Sequence, residues 1–190
     1  VGRFSGQDAL SAVGTTGTFV FLFIAISLGF SSGSTIVVAQ HFGAGDKQRM
    51  RKASSTGIIL LILMGLISTL LSIFTSRLAL THFVSVPQSI LTLSMQYFIV
   101  YCTGLIFQFA YNIFAGLLRA VGDSTSTLYF LLISSVANII LDLLFVAVFH
   151  WGVIGAAIAT VISQFLSAVC AYIYMIKKYS VFHFKTKEFR

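Results

Sequence analysis

Residues 127–149 read TLYFLLISSVANIILDLLFVAVF, an apolar run with one carboxylate, Asp142, in its second half. The hydrocarbon core of a bilayer is about 30 Å thick, and a helix crosses it in roughly 20 residues. Lipid offers the backbone no hydrogen-bond partners, so this run is predicted to form a transmembrane helix. The carboxylate costs about 2.5 to 3.5 kcal/mol on insertion, so we expect it to face protein rather than lipid and to have a function.

The apolar character extends along the whole chain. Of its 190 residues, 57% are hydrophobic and only 9% are charged, and the mean hydropathy is +0.97. This composition excludes an ordinary soluble domain and predicts an all-α integral membrane protein, a polytopic helical bundle. Residues 1–14 are predicted to be an external loop and residues 177–190 a cytoplasmic loop or tail. Between them we expect five transmembrane helices at about residues 15–40, 54–76, 93–118, 127–149 and 153–176.

The basic residues indicate the orientation of the bundle. Four lie in the loop after the first span, one is Arg119 and five are in the tail, whereas Arg3 and Arg77 fall on the opposite side. The positive-inside rule therefore places the tail in the cytoplasm and Val1 outside, most simply in the plasma (inner) membrane. Because topology explains the net charge of +7, no nucleic-acid partner is expected. A further span before Val1 would complete a six-helix unit.

Two hairpins on the basic side share a signature, Gly43-Ala44-Gly45-Asp46 in one and Val121-Gly122-Asp123-Ser124 in the other. Glycine readily adopts the left-handed conformation that ends a helix, and Asp or Ser caps the helix that follows. We interpret both signatures as helix punctuation, and a gating role stays open.

Polar residues recur on one side of the last two spans. Ser134, Asn138 and Asp142 follow one another at intervals of four, so they share one helical face. The last span has a matching stripe of Thr160, Ser163, Gln164 and Ser167, and its small residues, at small-xxx-small spacing, let two helices approach closely. We therefore expect these two helices to pack together and to present Asn138, Asp142 and Thr160 to a shared cavity.

The third span is predicted to supply another wall of this cavity, with Tyr97, Tyr101, Gln108, Tyr111 and Asn112 at roughly helical intervals. The alternative is that residues such as Gln108, Asn112 and Ser163 only join neighbouring helices, a use worth about 0.6 kcal/mol per contact. For Asp142 a purely structural role would need a cationic partner, and no Lys or Arg lies inside any predicted span.

The sequence does not indicate a metal site, a cofactor or a catalytic nucleophile. Cys102 and Cys170 have no paired spacing and the four histidines lie at span ends or in loops, so neither a metal site nor a cofactor is expected. Residues Gly29-Phe30-Ser31-Ser32-Gly33 match the GxSxG nucleophile elbow, but that elbow follows a strand and needs Asp and His partners. Here the string interrupts an apolar helix, so its glycines are interpreted as a close helix contact or a flexible point.

The succession of motifs resembles the multidrug and toxic compound extrusion (MATE) family. The likeness lies in four segments: GAGD at 43–46, RAVGDSTS at 119–126, Asn138-Ile-Ile-Leu-Asp142, and GVIGAAIATVISQ at 152–164. The resemblance covers nearly the whole chain. It implies helices two to six of a twelve-helix transporter with two facing six-helix bundles, so the first helix and the second bundle would lie outside this sequence.

The resemblance also implies a function. Family members expel amphipathic, often cationic, organic compounds in exchange for protons or sodium ions. By this likeness Asp142, Asn138, Thr160 and Tyr97 would form the cation-coupling site, where a transient sodium ion could bind. Ser134, Tyr101, Gln108, Tyr111, Asn112, Ser163 and Gln164 would line the substrate cavity. An Asp expected on the first helix has no counterpart in this chain.

Three rival functions remain. A flippase for lipid-linked oligosaccharides, built on a related bundle, would line its cavity with cationic residues to hold pyrophosphate, and the predicted spans contain none. A membrane-embedded enzyme would show paired acid and base groups or metal ligands. A channel would differ from an exchanger in counterflow measurements.

Overall fold

The computed structural model describes residues 2–83 and 86–182, which are almost entirely helical and contain no strand. Its longer helices are α1 (Gly2–Gly43), α2 (Lys47–Leu78), α3 (Gln88–Thr103), α4 (Leu105–Ala120), α5 (Ser124–Asp142) and α6 (Gly152–Lys178). Short π-helical turns follow α2 at Ala79–Phe83 and α5 at Leu143–Val148, and a 3₁₀ turn follows α6 at Ser180–Phe182. Over the described residues, length and composition allow four membrane-crossing helices, or five when α3 and α4 count as one bent span.

α4 forms the centre of the bundle because it packs against α1, α2 and α6. Every residue from Asn112 to Leu118 is buried. Close approach to α1 requires glycine at position 116, where a Cβ atom would lie 2.8 Å from Ser31 Oγ and would also clash with Thr35. Ser31 Oγ donates a hydrogen bond of 2.6 Å to the Asn112 carbonyl, so Ser31 joins α1 to α4.

The two glycine-aspartate hairpins are helix punctuation, as predicted. Gly45 (φ 71°) and Gly122 (φ 86°) have the left-handed conformation. Asp46 Oδ1 accepts a hydrogen bond from the Arg49 amide at 2.9 Å, and Asp123 Oδ1 accepts one from the Ser126 amide at 3.2 Å. Each aspartate therefore caps the helix that follows it.

The structure corrects two of the predicted boundaries. Residues 2–14, predicted as part of an external loop, are helical and belong to α1, which has a kink at Gly6 (φ 86°). Ala9 and Ala12 are buried there, and Ala9 belongs to the same apolar cluster as Phe98 and Leu105. The last helix also ends later than the predicted residue 176, since α6 continues to Lys178 and the buried Phe182 follows; residues 183–190 of the predicted tail lie outside the described part.

The third predicted span is not one continuous helix. Its two halves, α3 and α4, meet at Gly104 with a bend of 43°. The Cys102 carbonyl beside the bend accepts a hydrogen bond of 3.0 Å from Thr69 Oγ1 of α2, so this carbonyl group stays satisfied inside the bundle. At the bend, Gly104 lies close to Val161 and Gln164 of α6.

Candidate functional site

The polar line on α5 faces α6, as its spacing predicts. Ser134 Oγ donates a hydrogen bond to the Ser163 carbonyl at 2.9 Å, and Asn138 Nδ2 donates to Thr160 Oγ1 at 3.4 Å. Thr160 in turn donates to the Ala156 carbonyl at 3.0 Å, so its hydroxyl oxygen is free to accept from Asn138. Asp142, the next residue on this line, is the last residue of α5 before the π-helical turn.

α3 supplies the opposite side of this polar region through two buried tyrosines. The rings of Tyr97 and Tyr101 stack with their centroids 5.9 Å apart, and Gln164 Nε2 of α6 donates to the Tyr101 hydroxyl at 3.3 Å. The Asp142 carboxylate lies within electrostatic range of the Tyr97 phenol. Polar residues of both α3 and α5 thus contact the polar stripe of α6, and together with Asp142 we call them the cluster around Asp142.

Three oxygen atoms in the described part of the chain are buried without a hydrogen-bond partner: Ser94 Oγ, Asp142 Oδ1 and Gln164 Oε1. Leaving such a group unpaired costs about 1 to 3 kcal/mol. Asp142 itself is half-buried, and no Lys, Arg or His of the described residues forms an ion pair with it. Asp142 Oδ1 and Gln164 Oε1 are therefore oxygen acceptors to which the described residues donate no hydrogen bond.

Gly104 positions Gln164 in this cluster. A Cβ atom at residue 104 would lie 2.7 Å from Gln164 Oε1 and 2.8 Å from Val161 Cγ2. Any larger residue would push α6 away from the bend, so the glycine is needed where α3 and α6 approach.

The structure separates some of the residues that were predicted to share the cavity. Asn112 is buried against α1, where its Nδ2 donates to Ser27 Oγ at 2.8 Å. The Tyr111 hydroxyl donates to the Thr127 carbonyl at 3.2 Å, near the start of α5 and roughly 16 Å along that helix from Asn138. Gln108 is half-buried on α4, one turn after the bend. Asn112 and Tyr111 therefore join helices outside the cluster around Asp142.

Sequence reasoning missed Ser94 and the role of Gly104. Ser94 lies three residues before Tyr97, so its helical spacing already places it on the same face of α3. The signal at Gly104 was weaker, because glycine occurs in membrane helices without breaking them. Its effect depends on Gln164, which is 60 residues away in the sequence.

A second polar cluster lies at the end of the bundle that carries the basic loops. Asp123 Oδ2 accepts hydrogen bonds from the Tyr174 hydroxyl (3.1 Å), Lys178 Nζ (2.9 Å) and the Tyr179 hydroxyl (2.8 Å). Burial by itself would raise the pKa of Asp123, but the hydrogen bonds from Ser126, Lys178 and Tyr179 outweigh it and hold the pKa well below its usual range. Asp123 thus caps α5 and also ties its start to the end of α6.

The fold agrees with comparisons to known proteins. The sequence profile of the MatE family matches residues 1–144. The probable multidrug resistance protein YoeA of Bacillus subtilis (strain 168) is 32% identical over 183 residues, which cover 94% of this chain and 39% of that protein. YpnP of the same organism, also a probable multidrug resistance protein, is 30% identical over 93% of this chain and 40% of its own length.

A solved crystal structure of MATE in the bent conformation superposes with a TM-score of 0.90 at 25% identity and covers 97% of this chain and 41% of that one. The chain thus spans about 40% of the length of the relatives that it matches. The profile covers well over half of the sequence, and the bundle and the relatives agree with it. The chain belongs to the MatE family.

Proposed function

We propose that this chain forms the cation-coupling bundle of an antiporter that exports amphipathic and cationic organic compounds in exchange for protons or sodium ions. Two relatives are described as probable multidrug resistance proteins, which supports drug export. The observation that carries the proposal is Asp142, a half-buried acid with one unpaired oxygen and no ion pair among the described residues. Such an acid inside a membrane protein is typical of an ion or proton pathway.

The cluster offers two ways to neutralise Asp142. A proton can bind the carboxylate directly, since burial away from water favours the uncharged form. Alternatively, sodium can bind to oxygen atoms, and Asp142 Oδ1, Ser94 Oγ on α3 and Gln164 Oε1 on α6 are buried without a hydrogen-bond partner among the described residues. Asn138 and Thr160 hold α5 against α6, so a change of charge at Asp142 acts at the contact between these two helices.

Exchange follows if the cation and the organic compound favour different conformations of the bundle. Filling the site with a proton or sodium then shifts the population of the two conformations and releases the other ligand. The first helix and the second bundle, which the family resemblance places outside this sequence, would complete the cavity. Tyr97 and Tyr101 would contribute aromatic surface for flat cations.

The orientation of the bundle is part of the proposal. The basic loop between α1 and α2 and the end of α6 would face the cytoplasm, and the start of α1 would lie on the outer side of the plasma (inner) membrane. Lys47, Arg49, Lys52 and Lys178 lie at the same end of the bundle as Asp123, which supports this arrangement.

Vesicle transport with the full-length protein tests the coupling role. We expect Asp142→Asn to reduce the uptake of a lipophilic organic cation driven by a proton or sodium gradient by about 5- to 150-fold, the usual range of coupling free energies. Asp46→Asn is a matched control, because it also removes one carboxylate but retains the ability to cap α2. Separate pH and sodium gradients identify the coupling ion. Wild-type coupling in Asp142→Asn would refute the proposal.

Counterflow in the same vesicles separates an exchanger from a channel. A channel does not accumulate labelled compound in vesicles that are preloaded with unlabelled compound, whereas an exchanger does. The flippase alternative has no support, because the cluster around Asp142 contains no Lys or Arg of the described residues to hold a pyrophosphate.

A further inference from the structure

A long groove runs between α1 and α2 on the outside of the bundle, with a volume of about 840 Å³. From α1 it is lined by Ala25, Gly29, Gly33, Val37 and His41, which recur at intervals of four and so form one stripe along the helix. From α2 it is lined by Arg49, Lys52, Thr56, Gly57 and Leu60 among others. We name this feature the α1–α2 groove.

Glycine residues line the open part of the groove and also allow the helices to pack closely at its base. A Cβ atom at Gly29 or Gly33 would meet no other atom within 4 Å, so these two glycines border empty space. A Cβ atom at Gly57 would lie 3.2 Å from Ser34 Cβ and 3.3 Å from Ile113, so here α2 approaches α1 and α4 closely. Of the two interpretations of Gly29 and Gly33, a close helix contact is not made with any of the described residues, because both glycines face the groove; the interpretation as a flexible point stays a prediction.

The groove is apolar along its length and cationic at one end. His41, Arg49 and Lys52 surround the end next to the α1–α2 loop. Asp46 Oδ2 lies 3.3 Å from Arg49 Nε and offsets part of one charge, but Arg49 keeps 76% of its side chain exposed. Lys52 is exposed, and no ion pair with it is found among the described residues. The end of the groove therefore has a net positive charge.

We propose that the α1–α2 groove binds an anionic phospholipid of the adjacent leaflet, with one acyl chain along the glycine stripe and its phosphate at Arg49 and Lys52. From Ala25 to His41 the stripe is roughly 24 Å long. One leaflet contributes about 15 Å of hydrocarbon, so the groove accommodates an extended acyl chain and reaches the head-group region. Basic pockets between transmembrane helices are known sites for anionic head groups.

Charge favours a lipid over a protein segment as the occupant. By the positive-inside rule, protein segments that end on this side of the membrane carry Lys or Arg, as Arg119 and Lys177 do here. A further helix in the groove would bring such cations next to Arg49 and Lys52 and repel them. An anionic lipid instead brings a phosphate, which pairs well with both side chains.

Photocrosslinking of the full-length protein in bilayer nanodiscs tests the proposal. The bilayer is phosphatidylcholine with a trace of phosphatidylglycerol that carries a photoreactive group on its acyl chain, and labelled peptides are mapped by mass spectrometry. We expect labelling between Ala25 and Val37, and much less with a phosphatidylcholine probe. Lys52→Gln should lower the labelling about fivefold, the factor that corresponds to roughly 1 kcal/mol per basic side chain near the surface.

Two further variants complete the design. Lys47→Gln is the matched control, because Lys47 is an exposed residue of the same helix that does not line the groove, and its labelling should equal that of the wild type. Gly33→Leu should fill the groove and abolish the labelling, while Gly33→Ala should leave the protein folded, since a methyl group there meets open space. Equal labelling by the two lipid probes would overturn the proposal, as would equal losses in Lys47→Gln and Lys52→Gln. Labelling that persists in Gly33→Leu would also overturn the proposal. So would an absence of labelling by either probe in the wild type, the result expected if a protein segment fills the groove.

Discussion

Replacement of Asp123 by Ala should destabilise the bundle, because one carboxylate both caps α5 and binds the end of α6. The side chain is buried, with 8% of it exposed, and its two oxygens accept hydrogen bonds from one amide, two phenols and one ammonium group. Loss of an N-cap costs about 1 kcal/mol. Loss of the phenol contacts to a charged acceptor adds about 1.5 kcal/mol or more. Because the contact with Lys178 is exposed to solvent, we assign it no part of the expected loss in the free energy of unfolding.

The expected loss for Asp123→Ala is therefore about 2 to 4 kcal/mol in the free energy of unfolding. Equilibrium unfolding of the full-length protein in mixed micelles measures it. Asp123→Asn retains one acceptor oxygen and should lose clearly less, while Lys178→Gln should lose least of the three. A value for Asp123→Ala within about 0.5 kcal/mol of the wild type, the range usual for surface changes, would refute the reasoning.

The same residue predicts a dependence on pH. Because the pKa of Asp123 is lower in the folded protein than its usual value, the stabilisation is fully present above about pH 4 and is lost as the pH falls toward the folded-state pKa. The gap between wild type and Asp123→Ala should therefore narrow below about pH 4, by at most about 1.4 kcal/mol per pH unit. A gap that stays constant between pH 7 and pH 3 would show that the charge is not involved.

Two further predictions concern the bend and the cluster around Asp142. Gly104→Ala should destabilise the protein by about 1 to 3 kcal/mol because the added methyl meets Gln164 and Val161. In the same unfolding assay, Gly29→Ala should be neutral or should stabilise α1 by up to about 1 kcal/mol, because its methyl group enters open space. Equal effects of the two substitutions would contradict the close approach at residue 104. Gln164→Leu removes an unpaired buried oxygen along with one weak hydrogen bond, so it should change the free energy of unfolding little. The same substitution should weaken gradient-driven transport in vesicles. Wild-type transport in this variant would show that Gln164 is not part of the proposed cation site.

Much of the candidate site could be predicted from local spacing. Ser134, Asn138 and Asp142 recur every four residues, which places them on one side of any helix, and the matching stripe on α6 identified its partner. The contacts from Ser134 to Ser163 and from Asn138 to Thr160 follow that expectation. The same rule failed for Asn112 because span 93–118 is bent at Gly104, and beyond the bend its polar side chain points to α1.

The amino-acid sequence on its own indicated membrane helices, their approximate limits, the caps at Asp46 and Asp123, and the place of Asp142 on the polar side of α5. These features depend on hydropathy, on helical periodicity and on residues next to one another in the chain, so they need no knowledge of the packing. The packing alone revealed the bend at Gly104, the unpaired Ser94 and Gln164 oxygens, the α1–α2 groove and the joining of Asp123 to Lys178. Each of these arises where residues distant in sequence meet, and which residues meet is set by how whole helices fit against one another.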